Sequence, residues 1–259
     1  MSEAGAFRVV VPARYGSTRL PAKALADLAG KPLVVRVWET AAKAGALETL
    51  VATDDARIAE AVERAGGQVV MTSPDHPTGT DRLAEVARVR GWNDDAIVVN
   101  LQGDEPFVPH TLPRLLASAL EAHPTAGIAT CATRIHELAD VLAPHVVKVV
   151  LDHEGLARYF SRAPIPYARD FFASAEAARP AMPEGVPYLR HLGLYAYRAR
   201  TLRVLSGAAQ TPCERAESLE QLRALELGIA IHVSVLPEAP PSGIDTAEDL
   251  ARARRALGA

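Results

Sequence analysis

The alternation of short apolar runs with helical-period stretches over the first half constrains this chain most. Arg8-Val9-Val10-Val11 reads as a strand closed by Pro12, and Leu50-Val51-Ala52-Thr53, Val69-Val70-Met71 and Ile97 to Leu101 read as three more. Between them, Leu33 to Ala44, Ile58 to Ala65 and Thr80 to Val89 carry helical spacing. Gly45 suits a helix C-terminal cap, and Gly66-Gly67 ends the second helix. Strand and helix in turn imply a parallel sheet covered by helices on both faces.

The rhythm changes after about Gly127. Ile128 to Thr133, Val146 to Leu151, Ala157 to Phe160 and Leu192 to Tyr197 read as strands with fewer helices between them. Arg162 to Pro187 is rich in Pro and Ala without a steady period, so a long, partly mobile loop is expected there. Helical pattern returns over Glu214 to Leu227, ended by Gly228, then a late strand at His232 to Leu236, a turn at Pro240 to Gly243 and a last helix at Thr246 to Leu257. No internal repeat or linker interrupts the 259 residues.

Bulk properties narrow the function classes. Apolar residues make up 49% and charged residues 23%, which suits a packed soluble core. A net charge of −3 lacks the basic excess of a general nucleic-acid binder. No segment reaches the roughly 20 apolar residues of a membrane span, and Met1 to Ala6 does not read as a signal peptide. The two cysteines, Cys131 and Cys213, show no metal-type spacing. A reducing, cytoplasmic setting is expected, with Cys131 a buried inert thiol in the run Ile128 to Ala132.

Five constellations hold chemistry. Asn100-Leu101-Gln102-Gly103-Asp104-Glu105-Pro106 follows the fourth strand, and ligands of open parallel sheets bind at such strand ends. Pro106 is expected to stop the strand where the carboxylates emerge. Asp104 with a second carboxylate suits Mg²⁺ on a substrate phosphate; equally, Asp104 and Glu105 cap the helix after Pro109. The stretch Pro12 to Lys23 leaves the first strand with Arg14, Ser17, Thr18, Arg19 and Lys23 but only Gly16, so it is no Walker or dinucleotide loop. It reads as a side-chain phosphate loop, against the alternative of a solvated basic loop. Gly243 to Leu250 offers Asp245, either as a metal ligand delivered by the late strand or within a capping box of Asp245 with Glu248 or of Thr246 with Asp249. Tyr188 to Tyr197 alternates His191, Gly193 and Tyr195 on one strand face, ligand-facing or simply wet. Glu217, Glu220 and Gln221 share a helix side that is either functional or solvated.

These segments together resemble the 3-deoxy-manno-octulosonate cytidylyltransferase family (CMP-Kdo synthetases). The resemblance rests on Pro12-Ala13-Arg14 through Lys23, Asp75-His76 to Glu85, Asn100 to Pro106, Val147 to Asp152, Tyr159 to Arg162, Arg190-His191-Leu192-Gly193, Leu219-Glu220-Gln221-Leu222-Arg223 and Gly243-Ile244-Asp245-Thr246. It runs nearly the full length, in order. Ala22 stands where the family commonly has Gly and Ala24 where it has Pro; Phe171 to Glu184 matches nothing recognisable.

The resemblance implies an α/β fold: a three-layer, mostly parallel nucleotide-binding sheet of the nucleotide-diphospho-sugar transferase kind, with a smaller mixed lobe. One nucleotidyltransferase domain over 1–259 is expected, with about 128–236 forming the sugar-site and dimer lobe. It implies a cytoplasmic homodimer that uses CTP and Mg²⁺ to activate 3-deoxy-manno-octulosonate (Kdo) for lipopolysaccharide assembly. By that resemblance Arg14, Ser17, Thr18, Lys23 and Arg82 bind the nucleotide, and Asp104 and Asp245 hold the metal. Gln102, Arg162, His191, Tyr195, Glu220 and Gln221 grip the sugar. Arg14, Lys23, Asp104 and Asp245 carry catalysis. A sialic-acid-type cytidylyltransferase and a non-catalytic nucleotide-sugar sensor remain as alternatives.

Overall fold

The computed structural model describes residues 6–17, 19–173 and 181–258. In chain order the elements are β1 (Phe7–Ala13), a 3₁₀ turn (Lys23–Leu25), β2 (Asp27–Leu28), β3 (Lys31–Pro32), α1 (Leu33–Ala42), β4 (Glu48–Thr53), α2 (Ala56–Arg64), β5 (Gln68–Met71), α3 (Gly79–Val89), β6 (Ile97–Asn100) and α4 (Leu112–Ala122). They continue as β7 (Ala126–Arg134), α5 (Leu138–Leu142), β8 (Lys148–Leu151), β9 (Ala157–Ser161), α6 (Arg169–Phe172), β10 (Leu189–Arg198), α7 (Ala199–Gly207), α8 (Pro212–Glu217), α9 (Gln221–Glu226), β11 (Ala230–Leu236) and α10 (Ala247–Ala256). Two compact units are distinguishable: the described residues of Met1–Glu121, Leu194–Gly207 and Pro240–Ala259, and those of Ala122–Gly193 and Ala208–Ala239.

In the first unit β4 and β6 flank β1 in parallel, β5 continues beyond β4, and the end of β10 runs antiparallel to β6. Val9, Val10, Val11, Val51 and Val98 are fully buried. Such strands are covered on both faces, which is why they are continuous apolar runs and do not alternate. The chain leaves β1 toward β4 and β5, then returns to β6 on the other side of β1. The crevice between the C-terminal ends of β1 and β6 is therefore the switch point where open α/β sheets bind ligands. The expected mostly parallel α/β architecture is present.

In the second unit β11 pairs with β7 in parallel, while β8 and β9 form an antiparallel pair and Lys148 of β8 meets Arg190 of β10. Lys148 is fully buried, and its ammonium donates to the carbonyls of Ala143, Val146 and Arg162. Burial lowers its pKa. Cys131 is buried as expected, its thiol pushed up to about 12 by desolvation.

Some expectations need correction. The helix foreseen over Glu214 to Leu227 is two helices, α8 and α9, separated by Ser218 in the left-handed region (φ 51°). Glu217, Glu220 and Gln221 therefore do not share one helical face. The ladder of β6 ends at Asn100, well before Pro106, because a turn closed by the Glu105 N–H on the Gln102 carbonyl (3.1 Å) takes over. Within the long loop, Arg169–Phe172 forms one helical turn; residues 174–180 of that loop lie outside the described residues, as does Thr18 of the early loop.

Candidate active site

The crevice beyond β1 and β6 is a cleft of about 290 Å³ whose lining includes Arg14, Gly16, Ser17, Arg19, Lys23, His76, Thr78, Arg82, Gln102, Asp104 and Asp245. Thr18, expected to add a hydroxyl here, is outside the described residues. The floor is set by two close approaches. A Cβ on Gly103 would lie 2.7 Å from the Pro12 carbonyl oxygen, so only glycine lets the 101–105 turn press against β1. A Cβ on Gly243 would lie 2.9 Å from the Asp104 carbonyl oxygen. That same carbonyl accepts the Ile244 N–H at 2.8 Å.

Asp245 thus arrives beside Asp104 through the 243–244 backbone, not as an extension of the late strand. Nor does it cap α10: the cap is Thr246, which exchanges hydrogen bonds with Asp249 in a capping box. The Asp249 carboxyl, gripped by Thr246 and then Arg252, is held down to about 2. The Asp245 carboxylate is left to face Lys23 at 3.0 Å and Arg19 at 3.0 Å.

Lys23 sits between the two acids. Its ammonium donates to Asp104 Oδ2 at 2.5 Å and to Asp245 Oδ1 at 3.0 Å. Burial alone would lower its pKa, but the hydrogen bonds and charges of Asp104 and Asp245 outweigh that and the net shift is upward. Beside them the Glu105 carboxyl is raised to about 7, first by desolvation and then by the charges of Asp104 and Asp245. Lys23 pairs with both acids, and Arg19 adds a second cation on Asp245. Two carboxylates already sharing a cation, with room above them, make an oxygen donor set that fits Mg²⁺ completed by substrate oxygens and water. Among the described residues no cluster of three or more His, Cys, Asp or Glu side chains forms a self-sufficient metal site.

Lys23 is presented by a 3₁₀ turn whose preceding residue, Ala22, has φ 54°. That region costs a residue with a Cβ about 1–2 kcal/mol. Ala22→Gly is therefore expected to stabilise the protein by about 1 kcal/mol, raising the melting temperature by roughly 2–4 °C. A thermal melt showing no gain or a loss would refute the strain argument.

Arg82 is 4% exposed and fixed by Asp54 (2.9 Å) and by the Thr72 hydroxyl. Asp55 caps α2 by accepting the Arg57 N–H, which leaves Asp54 to orient Arg82. The sequence names Arg19 only as part of the phosphate loop and Glu105 only as a carboxylate after the fourth strand, and His76 only within a segment of the family resemblance. The chemistry of Arg19 and Glu105 was visible in the motifs; their nearness to Asp245 was not.

The remaining expected residues lie as follows. Gln102 lines the cleft. Tyr195 is half-buried, opposite Asn100 and stacked on Tyr197 with ring centroids 5.7 Å apart. In the second unit the Arg162 guanidinium is engaged by the carbonyls of Glu217 (2.6 Å), Pro144 (3.0 Å) and Ser218 (3.4 Å). It braces the turn between α8 and α9, and Glu217 returns the contact by accepting the Arg162 N–H and the Ser161 hydroxyl. That turn leads into Glu220 and Gln221. Gln221 is 8% exposed, and its buried Nε2 finds no hydrogen-bond partner among the described residues. Arg223, beside it, is locked by a buried ion pair with Glu214 at 2.8 Å.

His191 packs edge-on against Phe160 and its Nε2 lies 3.1 Å from the Thr130 hydroxyl. That hydroxyl donates to the Leu192 carbonyl, so it accepts from an Nε2–H. Desolvation lowers the imidazole pKa to about 3. Between that value and the ordinary one of about 6.5 the unfolded chain holds a proton the folded chain refuses. The contribution of this imidazole to stability is complete above pH 6.5 and falls as pH drops toward 3. By pH 5 the loss is on the order of 2 kcal/mol. Denaturant titrations at pH 7 and 5 are expected to show a change in the wild type that is less favourable than the change in His191→Gln by about 2 kcal/mol, the other groups titrating alike in both; equal changes would overturn the assignment.

Comparison with known proteins agrees with this architecture. A cytidylyltransferase family model matches residues 8–231. The 3-deoxy-manno-octulosonate cytidylyltransferase of Hahella chejuensis (strain KCTC 2396) is 52% identical over 97% of this chain and 98% of its own. That of Pseudomonas syringae pv. syringae (strain B728a) is 54% identical over the same shares. A solved structure of CMP:2-keto-3-deoxy-manno-octonic acid synthetase complexed with CTP is 40% identical, covers 98% of both chains and superposes with a TM-score of 0.86.

Proposed function

Because the chain belongs to the 3-deoxy-manno-octulosonate cytidylyltransferase family of cytidylyltransferases, we propose that it transfers CMP from CTP to the anomeric hydroxyl of Kdo. Pyrophosphate is released, and CMP-Kdo is the activated sugar for lipopolysaccharide assembly. The observation that carries this reading is the Lys23 ammonium poised between Asp104 and Asp245 at the switch point of the sheet.

CTP lies in the cleft with its phosphates over Arg14, Ser17 and Lys23, while Arg82, held rigid by Asp54, orients the nucleotide. Asp104 and Asp245 hold Lys23 before the triphosphate arrives, so Lys23 exchanges carboxylate partners for phosphate oxygens. Asp104 and Asp245 are the residues that would hold Mg²⁺, which when bound neutralises phosphate charge and acidifies the attacking hydroxyl. The chain's own part is positioning and charge: attack at the α-phosphorus in line with the leaving pyrophosphate needs no covalent enzyme intermediate.

For the sugar acid the family resemblance supports contacts from Gln102 and Tyr195 in the first unit and, taken separately, from His191, Glu220 and Gln221 in the second. The orphan Gln221 amide supports this, because a buried donor without a partner is costly unless a ligand satisfies it. Arg162 supports Glu220 and Gln221, within the second unit, by bracing the 217–218 turn. About 128–236 supplies this sugar lobe and the contact of a homodimer, within a single nucleotidyltransferase domain, in the cytoplasm. No helix among the described residues is long and apolar enough to cross a membrane.

Pyrophosphate release from CTP with Mg²⁺ and Kdo tests the reading. Turnover with Kdo and little with sialic acid is expected. A preference for sialic acid would overturn the Kdo assignment, and no release with either sugar would overturn the enzyme.

A further inference from the structure

Part of the cleft's wall is the segment from His76 to Gly79, and one carboxylate outside the cleft's lining ties it down. Glu85, on α3, accepts the Ser73 N–H at 2.9 Å and His76 Nε2 at 2.6 Å, both on Oε2. A carboxylate can only accept from ring nitrogen here if Nε2 carries the proton, so the bond also sets the ring's orientation. At the far end of the loop Thr78 caps α3, its hydroxyl receiving the Asp81 N–H and donating to the Asp81 carboxylate. His76 and Thr78 both line the cleft. Residues 81 and 85 are one helical turn apart, so a single face of α3 holds the 73–78 loop at two points.

We infer that Glu85 is a positioning residue for the nucleotide: by clamping Ser73 and His76 it fixes the wall against which CTP is held. It touches no substrate and acts through His76 and the loop. The inference rests on the cytidylyltransferase reading. Its energetic basis is that two charge-assisted bonds converge on one half-buried oxygen, which makes the loop a rigid wall before the ligand arrives.

The test compares CTP affinity by calorimetry, and the Michaelis constants for CTP and Kdo, in the wild type, Glu85→Ala, Glu85→Gln and His76→Ala. Glu85→Ala is expected to weaken CTP binding about tenfold, the scale of one lost charged hydrogen bond. Glu85→Gln keeps an acceptor oxygen for the clamp and is expected to recover most of that loss. The Michaelis constant for Kdo should stay within about twofold. His76→Ala should weaken CTP as Glu85→Ala does, and the two together should be less than additive, as expected of residues in one contact. If Glu85→Ala only lowers the melting temperature while CTP affinity is unchanged, the clamp is structural and the inference fails. If Glu85→Ala does not fold, unchanged CTP affinity in His76→Ala overturns it equally. A wild type that binds no CTP overturns the cytidylyltransferase reading instead.

Discussion

Asp104→Asn and Asp245→Asn are each expected to cut turnover about a hundredfold or more while leaving the melting temperature nearly unchanged, the scale of losing one key electrostatic group in an active site. Neither side chain holds the fold together. Asp104 is bound into the structure through its carbonyl, which receives Ile244, while its carboxylate faces Lys23. Asp245 leaves the capping of α10 to Thr246 and Asp249. Asparagine is nearly isosteric and keeps an acceptor for Lys23, so the loss isolates the charge. Full turnover with a lowered melting temperature would make these residues structural, contrary to the proposal.

Much of the fold was legible because the first-unit strands are buried on both faces, where β-branched runs such as Val9-Val10-Val11 stand out against helical period. The split at Ser218 was not. It depends on a non-glycine residue in the left-handed region, and on Glu214 serving both the Thr211 capping box and the buried Arg223. Local periodicity sees a continuous amphipathic helix there, because Arg223 and Glu214 meet only once the chain has folded back.

The site divides in the same way. Residue type and position raised Lys23, Asp104 and Asp245 as candidates, each beside a plain alternative of solvated loop, helix cap or capping box, and only the family resemblance joined them into one site. How Asp245 arrives was misjudged, because it depends on Gly243 letting two backbones approach, a packing fact without a periodic signal. Asp54 and Glu85 were missed as individuals for a related reason. Each acts on a partner, Arg82 or His76, and an acid at a helix start or on a half-wet helix face looks alike in sequence whether it has a partner or not.

Lys23→Ala should move two measurements in opposite directions. Turnover is expected to fall about a hundredfold or more, because the ammonium is a preorganised cation where charge builds on the transferring phosphates. CTP should bind more weakly, while the Michaelis constant for Kdo changes little. Yet in the absence of nucleotide the variant should bind Mg²⁺ more tightly than the wild type. Lys23 now neutralises Asp104 and Asp245 at 2.5 and 3.0 Å, so an added cation must compete with it. Without Lys23 the two acids face each other beside Glu105, whose carboxyl, already at about 7, loses the one nearby charge that lowers it. Calorimetric titration with Mg²⁺ alone and with CTP reads both effects. Unchanged CTP affinity and unchanged turnover would mean the loop from Pro12 to Lys23 does not bind the phosphates, and weaker Mg²⁺ binding in the variant would mean that the acids do not share a cation with the lysine.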